Sequence, residues 1–310
     1  MAALLDKRLI VVTGKGGTGK STVAIALGML AARRGLRTIV AEVASQDRAA
    51  RAFDRDAPLF REEELAPGLF AISISPERAM AEYLKLKAGP AGDILASSRT
   101  FGLFAAATPG MRELLTIGKV WELAQLERRT RGAARYDLVI LDAPATGHGL
   151  GIMRTPKTFA DLSRVGPIAQ QGRAIHSSLS DPDFTGVIAV ARAEEMAVSE
   201  TLALAEALRA ELGMELDRVV VNALFAERFS ARERRTLAAR ARSLNGTAPV
   251  GRAAVRAALS ERTRVERQHE QLERLALRGG AAPVGLPFLF APELTRTDVE
   301  RLSLELEDAL

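Results

Sequence analysis

The 310-residue chain has no cysteine, which excludes thiolate metal sites, thiol catalysis and disulfide stapling by this polypeptide. Aromatic residues make up only 5% of it, with one tryptophan, and its three histidines, His148, His176 and His269, are too scattered to form a histidine metal site. Nowhere does an apolar run reach the roughly 20 residues that a membrane span needs. Met1 to Arg8 lacks the apolar stretch and small-residue cleavage site of an export signal, so a cytoplasmic location is expected. What the chain does have is a 47% hydrophobic composition, enough for a large α/β domain to bury its core by packing alone.

The formal net charge is +5 and the isoelectric point about 9.9, a balance that would suit nucleic acid or acidic lipid if the charge were gathered on one surface. Arginine instead alternates with glutamate, as in Ser260 to Arg278, where Glu270 and Arg274 are spaced as a helical pair. That pattern reads as a solvated face, and a nucleic-acid partner is not expected.

Short apolar runs, several without alternation, suit strands covered on both faces. They fall at Leu9 to Thr13, Thr38 to Val43, Leu69 to Ile74, Leu138 to Leu141, Gly186 to Ala191, Arg218 to Val221 and Val284 to Leu286. Between them, helical spacing covers Ser21 to Arg34, Pro76 to Lys87, Ile94 to Ala107, Met111 to Arg131, Ala193 to Leu212, Ala231 to Leu244 and Ala253 to Leu277. The alternation predicts an α/β fold with a doubly wound, mainly parallel sheet flanked by helices, and a small helical lobe around residues 76–131. No repeat or linker divides residues 1–310, so one domain is expected. Lys85 to Gly92 and Ser177 to Phe184 read as surface connections.

Between the first strand and the first long helix lies Gly14-Lys15-Gly16-Gly17-Thr18-Gly19-Lys20-Ser21, followed by Thr22. Its spacing is GxxxxGK[ST]: the glycines let consecutive backbone N–H groups face one concavity, and the helix adds its positive end, both of which attract phosphate. Lys20 is expected on the β- and γ-phosphates of ATP, and Ser21 on Mg2+. Asp142 closes the strand Leu138 to Leu141, at the edge of the sheet where such folds bind ligands, and is expected to hold the same Mg2+ through water, a helix or turn cap being the alternative.

The loop order Gly-Lys-Gly-Gly-x-Gly-Lys-Ser-Thr resembles the deviant phosphate loop of a class of dimeric ATPases. That class includes the arsenite-pump, septum-positioning and partition ATPases and the nitrogenase iron protein. By this resemblance Lys15 reaches across a dimer to the partner's nucleotide, where a cation in trans would stabilise the transferring phosphoryl group; a solvated surface lysine is the alternative. Asp142-Ala-Pro-Ala-Thr-Gly-His148-Gly149 is similar to switch II of the arsenite-pump and tail-anchored-protein targeting ATPases. The likeness extends to Thr108–Glu113, Thr185–Glu194 with Glu200 and Thr201, Val219–Asn222, and Leu286–Glu293. It implies that Asn222 bonds adenine and that the loop around Pro287 to Pro292 covers the base; a strand-end asparagine serving only the turn is the other reading.

The match weakens in switch I, Glu42-Val-Ala44-Ser-Gln-Asp47-Arg48, where Ala44 stands at the position of the family's water-orienting aspartate. Either Asp47, the favoured candidate, or Glu42 takes that role, or hydrolysis is slow and the chain chiefly senses nucleotide. Asp47 as a plain helix cap remains open. Neither an arsenite site nor a zinc-stapled dimer is expected without cysteine, and Leu150 to Thr185 is short of the methionine-rich helices that capture tail anchors. The expected function is an ATP-hydrolysing switch, a homodimer or a heterodimer with a related subunit, acting on an unknown protein client. A positioning ATPase on DNA or membrane and a nonhydrolysing nucleotide-binding subunit are the alternatives.

Overall fold

Leu9–Thr13 (β1) is buried at every position, as are Leu138–Asp142 (β5) and all but the last residue of Thr185–Arg192 (β6). Unbroken apolar runs belong in the middle of a sheet covered on both sides, and these three lie side by side there, β5-β1-β6. The computed structural model describes residues 2–43, 47–56, 59–89, 108–130, 132–162, 166–242, 249–278, 283–291 and 293–309. Among them the sheet has eight strands in the order β3-β4-β2-β5-β1-β6-β7-β8. The others are Thr38–Val43 (β2), Glu63–Ala66 (β3), Leu69–Ile74 (β4), Arg218–Leu224 (β7) and Pro283–Pro287 (β8). All neighbouring pairs are parallel except β3 with β4.

The helices, in chain order, are Ala2–Leu5 (α1), Lys20–Arg33 (α2), Arg48–Ala52 (α3), Pro76–Ala88 (α4), Met111–Leu123 (α5), Thr146–Leu162 (α6) and Pro167–Ser180 (α7). Glu195–Ala207 (α8) runs on into a wider turn, Leu208–Leu212, and is followed by Ala231–Arg242 (α9), Pro249–Arg278 (α10) and Arg296–Ala309 (α11). Successive strand residues point to opposite faces, and the core divides accordingly. Leu9 and Val11 pack with α5, α6, α7 and α8 in one cluster, whereas Ile10 and Val12 pack with α2 and α11 in the other. The expected doubly wound α/β fold is therefore present.

Several elements differ from the reading of the sequence. β3 was not expected, because Glu-Glu-Leu-Ala has poor strand propensity; it forms as an edge strand folded back on β4 through Gly68 at φ 77°. The stretch after switch II, to which no helix was assigned, is α6 and α7, and Ser177–Ser180 belongs to α7 rather than to a surface connection. Gly147, Gly149, Gly151 and Pro156 gave α6 a poor helix signal, yet tertiary packing overrides propensity. A Cβ on Gly172 of α7 would lie 2.8 Å from the Pro156 carbonyl oxygen, so the two helices need that glycine to meet. The helix begun at Met111 stops at Leu123 rather than Arg131. The helix expected at residues 94–107, with Phe101, Leu103 and Phe104, lies outside the described residues.

In the region expected as a helical lobe, α5 is built into the core, with Ile117, Val120, Leu123 and Trp121 buried. Beside it α4 and α5 flank an apolar cleft of about 200 Å3 lined by Met80, Tyr83, Leu86, Met111 and Leu115. α11 was another missed helix, though its signal was in the sequence. Thr295 and Asp298 cap each other, the Thr295 N–H and hydroxyl donating to Asp298 at 2.9 and 2.7 Å. Its apolar face, Val299, Leu302 and Leu306, is buried in the cluster that contains α2.

Candidate functional site

The parallel strands deliver their C-terminal ends to one edge, and there the loop between β1 and α2 turns sharply. Gly14, Gly17 and Gly19 have φ of 141°, 81° and 92°, a region that side-chain-bearing residues rarely enter. At Gly14 the packing is also decisive, since a Cβ would stand 2.2 Å from the Val190 carbonyl oxygen of β6. The Thr18 hydroxyl donates to the Lys15 carbonyl at 2.9 Å and the Lys20 ammonium donates to the same oxygen at 3.0 Å, drawing the loop into a closed curve. Gly16 and Thr22 complete the segment, and Thr22 lines a cleft of about 480 Å3 with Gly17, Gly19, Lys20, Ser21 and Arg48.

Ser21, the second residue of α2, and Asp142, the last of β5, are brought together: the Ser21 hydroxyl donates to Asp142 Oδ2 at 2.5 Å. Arg48 was not foreseen. Its Nη1 donates to Ser21 Oγ at 2.8 Å, so a guanidinium stands beside the two oxygens read as metal ligands. Burial pushes the Asp142 carboxyl up from its ordinary pKa, against the opposing pull of Ser21, Lys20 and Arg48. Burial also pulls the Lys20 ammonium down, with Asp142 opposing and Arg48 reinforcing that shift.

Switch I is only partly described, and Ala44 lies outside the described residues. Glu42, at the buried end of β2, is paired in register with Asp142. Its carboxylate accepts from the Arg48 N–H at 2.9 Å and the Ala49 N–H at 3.3 Å, and so caps α3. Asp47, the formal N-cap of that helix, makes no capping bond; it has φ 40°, and its Oδ1 is buried without a hydrogen-bond partner among the described residues. Burial raises the Glu42 pKa to about 7, the two N–H donors lowering it and the nearby Asp142 and Asp47 charges adding to the rise.

Lys15 is paired within its own chain, its ammonium 2.6 Å from Glu200 Oε1 on α8, with both side chains part-exposed. Asn222 turns its amide towards the loop: Nδ2 donates to the Thr18 carbonyl at 3.0 Å and Oδ1 accepts from the Ala223 N–H at 2.9 Å. Gly19, at φ 92°, leaves room for it: a Cβ there would lie 2.2 Å from Asn222 Nδ2 and would push the amide aside. Pro287 sits opposite Leu224 on the neighbouring strand, and just beyond it Phe288 stacks on Phe225 with ring centroids 4.9 Å apart. Two hydroxyls, Thr13 Oγ1 at the end of β1 and Thr146 Oγ1 at the start of α6, are buried with no hydrogen-bond partner among the described residues. The Thr146 N–H donates to the Gly14 carbonyl at 3.1 Å, tying switch II to the loop.

A parallel sheet with a glycine-rich loop between β1 and α2, a lysine and serine opening the helix, and an aspartate ending the adjacent strand define a P-loop nucleotide-binding fold. The sequence model of the anion-transporting ATPase family matches residues 7–165 and 161–244. With most of its length matched, the chain belongs to that family. It is 31% identical over 223 residues to the ATPase BagA of Mycobacterium tuberculosis, covering 69% of this chain and 64% of that protein. It is 26% identical over 236 residues to an arsenical pump-driving ATPase of Acidiphilium multivorum, covering 69% and 39%. A second arsenical pump-driving ATPase, from Escherichia coli, is 24% identical over 248 residues, covering 73% and 41%. The chain thus spans less than two thirds of the length of these relatives.

Proposed function

We propose that residues 1–310 form one ATPase domain that binds Mg-ATP, hydrolyses it, and uses the change of nucleotide to open and close a dimer with itself or a related subunit, acting on a protein client. The observation that carries this reading is the meeting of Lys20, Ser21 and Asp142 at the glycine loop. Lys20 would neutralise the β- and γ-phosphates, and the loop amides would bind the rest of the chain of phosphates. The donor set suits Mg2+: a hydroxyl and a carboxylate 2.5 Å apart are hard oxygen ligands, and a cation already sits beside them in Arg48. When bound there, Mg2+ would offset charge on the phosphate oxygens. Asn222 and Pro287 flank the place expected for adenine; the Asn222 amide gives one N–H to the loop and has a second to offer the base.

Closure of a dimer needs contacts that differ between nucleotide states. Lys15 can supply one by leaving Glu200 for the phosphates of a partner's nucleotide. Asp47 is the favoured group to orient water, and its unpartnered buried oxygen supports that choice over a capping role. A nonhydrolysing subunit is the second reading, favoured by Ala44 and by the Arg48 guanidinium that stands against Ser21 beside Asp142. The membrane-positioning alternative loses support, since the apolar face of α11 is buried.

Calorimetry with Mg-ATP and Mg-ADP, followed by light scattering in each, tests the proposal. Saturable binding with a larger particle in ATP is expected; absence of binding to either nucleotide sinks it. In single turnover, Asp47→Asn should slow hydrolysis with little change in ATP affinity, and unchanged turnover would remove Asp47 from the chemistry.

A further inference from the structure

The positive charge of the chain is concentrated in one substructure. Residues 228–267, which contain α9 and the first two thirds of α10, carry eleven arginines, no lysine and three glutamates, a net charge of +8. The remaining 270 residues carry 32 basic and 35 acidic side chains, a net of −3. The expectation that arginine is spread among compensating glutamates therefore fails for this segment. All three glutamates are already engaged: Glu261 with Arg228 at 3.0 Å, Glu266 with Arg262 at 2.8 Å, and Glu233 with the Ser230 N–H and hydroxyl.

Six arginines, Arg232, Arg235, Arg240, Arg252, Arg256 and Arg267, have side chains with no ion pair or hydrogen bond among the described residues. On α9, Arg232, Arg235 and Arg240 are exposed, whereas Leu237 and Ala238 are half-buried. On α10, Arg252, Arg256 and Arg267 share one face with Ser260 and Thr263 between them, at steps of four, four, three and four residues. At 1.5 Å per residue this row of guanidiniums is about 22 Å long.

We propose that this helical pair binds the phosphate backbone of nucleic acid without reading sequence. Rows of unpaired guanidiniums on an open helical surface match a polymer that repeats a phosphate every few ångströms, and release of counterions drives such binding. A membrane is a poorer match. Lipid-bound helices bury a large apolar face, whereas Val250 is the sole large apolar side chain exposed on the described residues of this segment. A protein partner is poorer too, since stable protein interfaces centre on apolar or aromatic residues that the row lacks.

The test uses the full chain and a fluorescent mixed-sequence DNA duplex, with phosphatidylglycerol vesicles as the competing surface. Binding is expected at about 50 mM salt, falling steeply as salt rises, with little retention on vesicles. The triple variant Arg252→Gln, Arg256→Gln, Arg267→Gln should weaken binding at least tenfold. It should also lower the slope of log affinity against log salt by about 3, since each phosphate contact adds about 0.9. Replacing the same three residues by lysine should restore most of the binding, and thermal melting of both variants should match the wild type. No DNA binding, preference for vesicles, or a glutamine triple that binds as the wild type does would each overturn the proposal.

Discussion

Glu42 and Asp142 are paired in register near the C-terminal ends of neighbouring parallel strands, and their surroundings are opposite. Asp142 faces the side chains of the phosphate loop: it accepts from Ser21, with Lys20 and Arg48 close by. Glu42 faces backbone, accepting from two N–H groups of α3 with carboxylates rather than cations for neighbours. The same strand-end carboxylate thus serves as a prospective metal ligand on one side and as the cap of a switch helix on the other. What decides between them is the chain segment folded over each, a phosphate loop in one case and a short helix in the other.

The rigidity of the Asp142 side can be broken most directly at Gly14. Adding a methyl group there drives it into the Val190 carbonyl at a φ of 141°. Overpacking costs about 1–3 kcal/mol and the unfavourable backbone about 1–2 more, so Gly14→Ala should lose about 3 kcal/mol of stability. Urea denaturation measures it, and a loss below about 1 kcal/mol would mean that the loop relaxes freely.

The Glu42 side is expected to respond to pH instead. Its folded-state pKa of about 7 stands above the ordinary 4.5, so the folded state holds this proton more tightly than the unfolded chain. The stabilisation is complete below about pH 4.5 and is lost as pH rises through about 7. Glu42→Gln keeps an acceptor for the α3 N–H groups without the titration. Relative to wild type, the variant should gain about 2–3 kcal/mol between pH 5 and pH 8 in urea unfolding. Parallel stability curves for the two proteins would show that Glu42 does not titrate in this window.

This contrast also marks how far the sequence could be read. Local spacing identified the glycine loop, Lys20, Ser21 and Asp142, because the chemistry of that side depends on contiguous residues and on one strand end. The apolar strands were legible because burial on both faces leaves no polar alternation. The roles of Glu42, Asp47 and Arg48 were not legible, since which of them caps, which is left unpartnered and which reaches Ser21 depends on the path of a short helix. The partner of Lys15, Glu200, is 185 residues away in sequence, and the bond between Asn222 and Thr18 spans 204. α6 was missed because its glycines serve close packing: a Cβ on Gly149 would approach Thr13 Oγ1 to 2.6 Å. Such glycines weaken the local helix signal while making the tertiary contact possible.

Arg48 joins the two sides, its N–H on Glu42 and its guanidinium on Ser21. Under the proposed function, a metal ion reaching Ser21 and Asp142 has to displace that guanidinium. Arg48→Ala should then lower the Mg2+ concentration needed for half-maximal stabilisation of bound ATP about fivefold, the ~1 kcal/mol of one hydrogen bond. Nucleotide binding in EDTA serves as the control. A higher Mg2+ requirement in the variant would instead make Arg48 part of the bound state.

The smallest expected effect concerns Lys15. Its bond to Glu200 is part-exposed, and such pairs contribute about 0–1 kcal/mol, so Glu200→Gln should barely move the melting temperature. Yet a fraction of a kilocalorie is enough to bias a dimer if the lysine must leave Glu200 to cross the interface. The variant should form the ATP-dependent dimer at a concentration about twofold to fivefold lower than wild type, within the range of one surface ion pair. Sedimentation in ATP and in ADP separates this from simple aggregation, because only the ATP curve should shift. An equal shift in both nucleotides, or none, would mean that Glu200 does not hold Lys15 back, and the switch would then rest on the Ser21, Asp142 and Arg48 contacts alone.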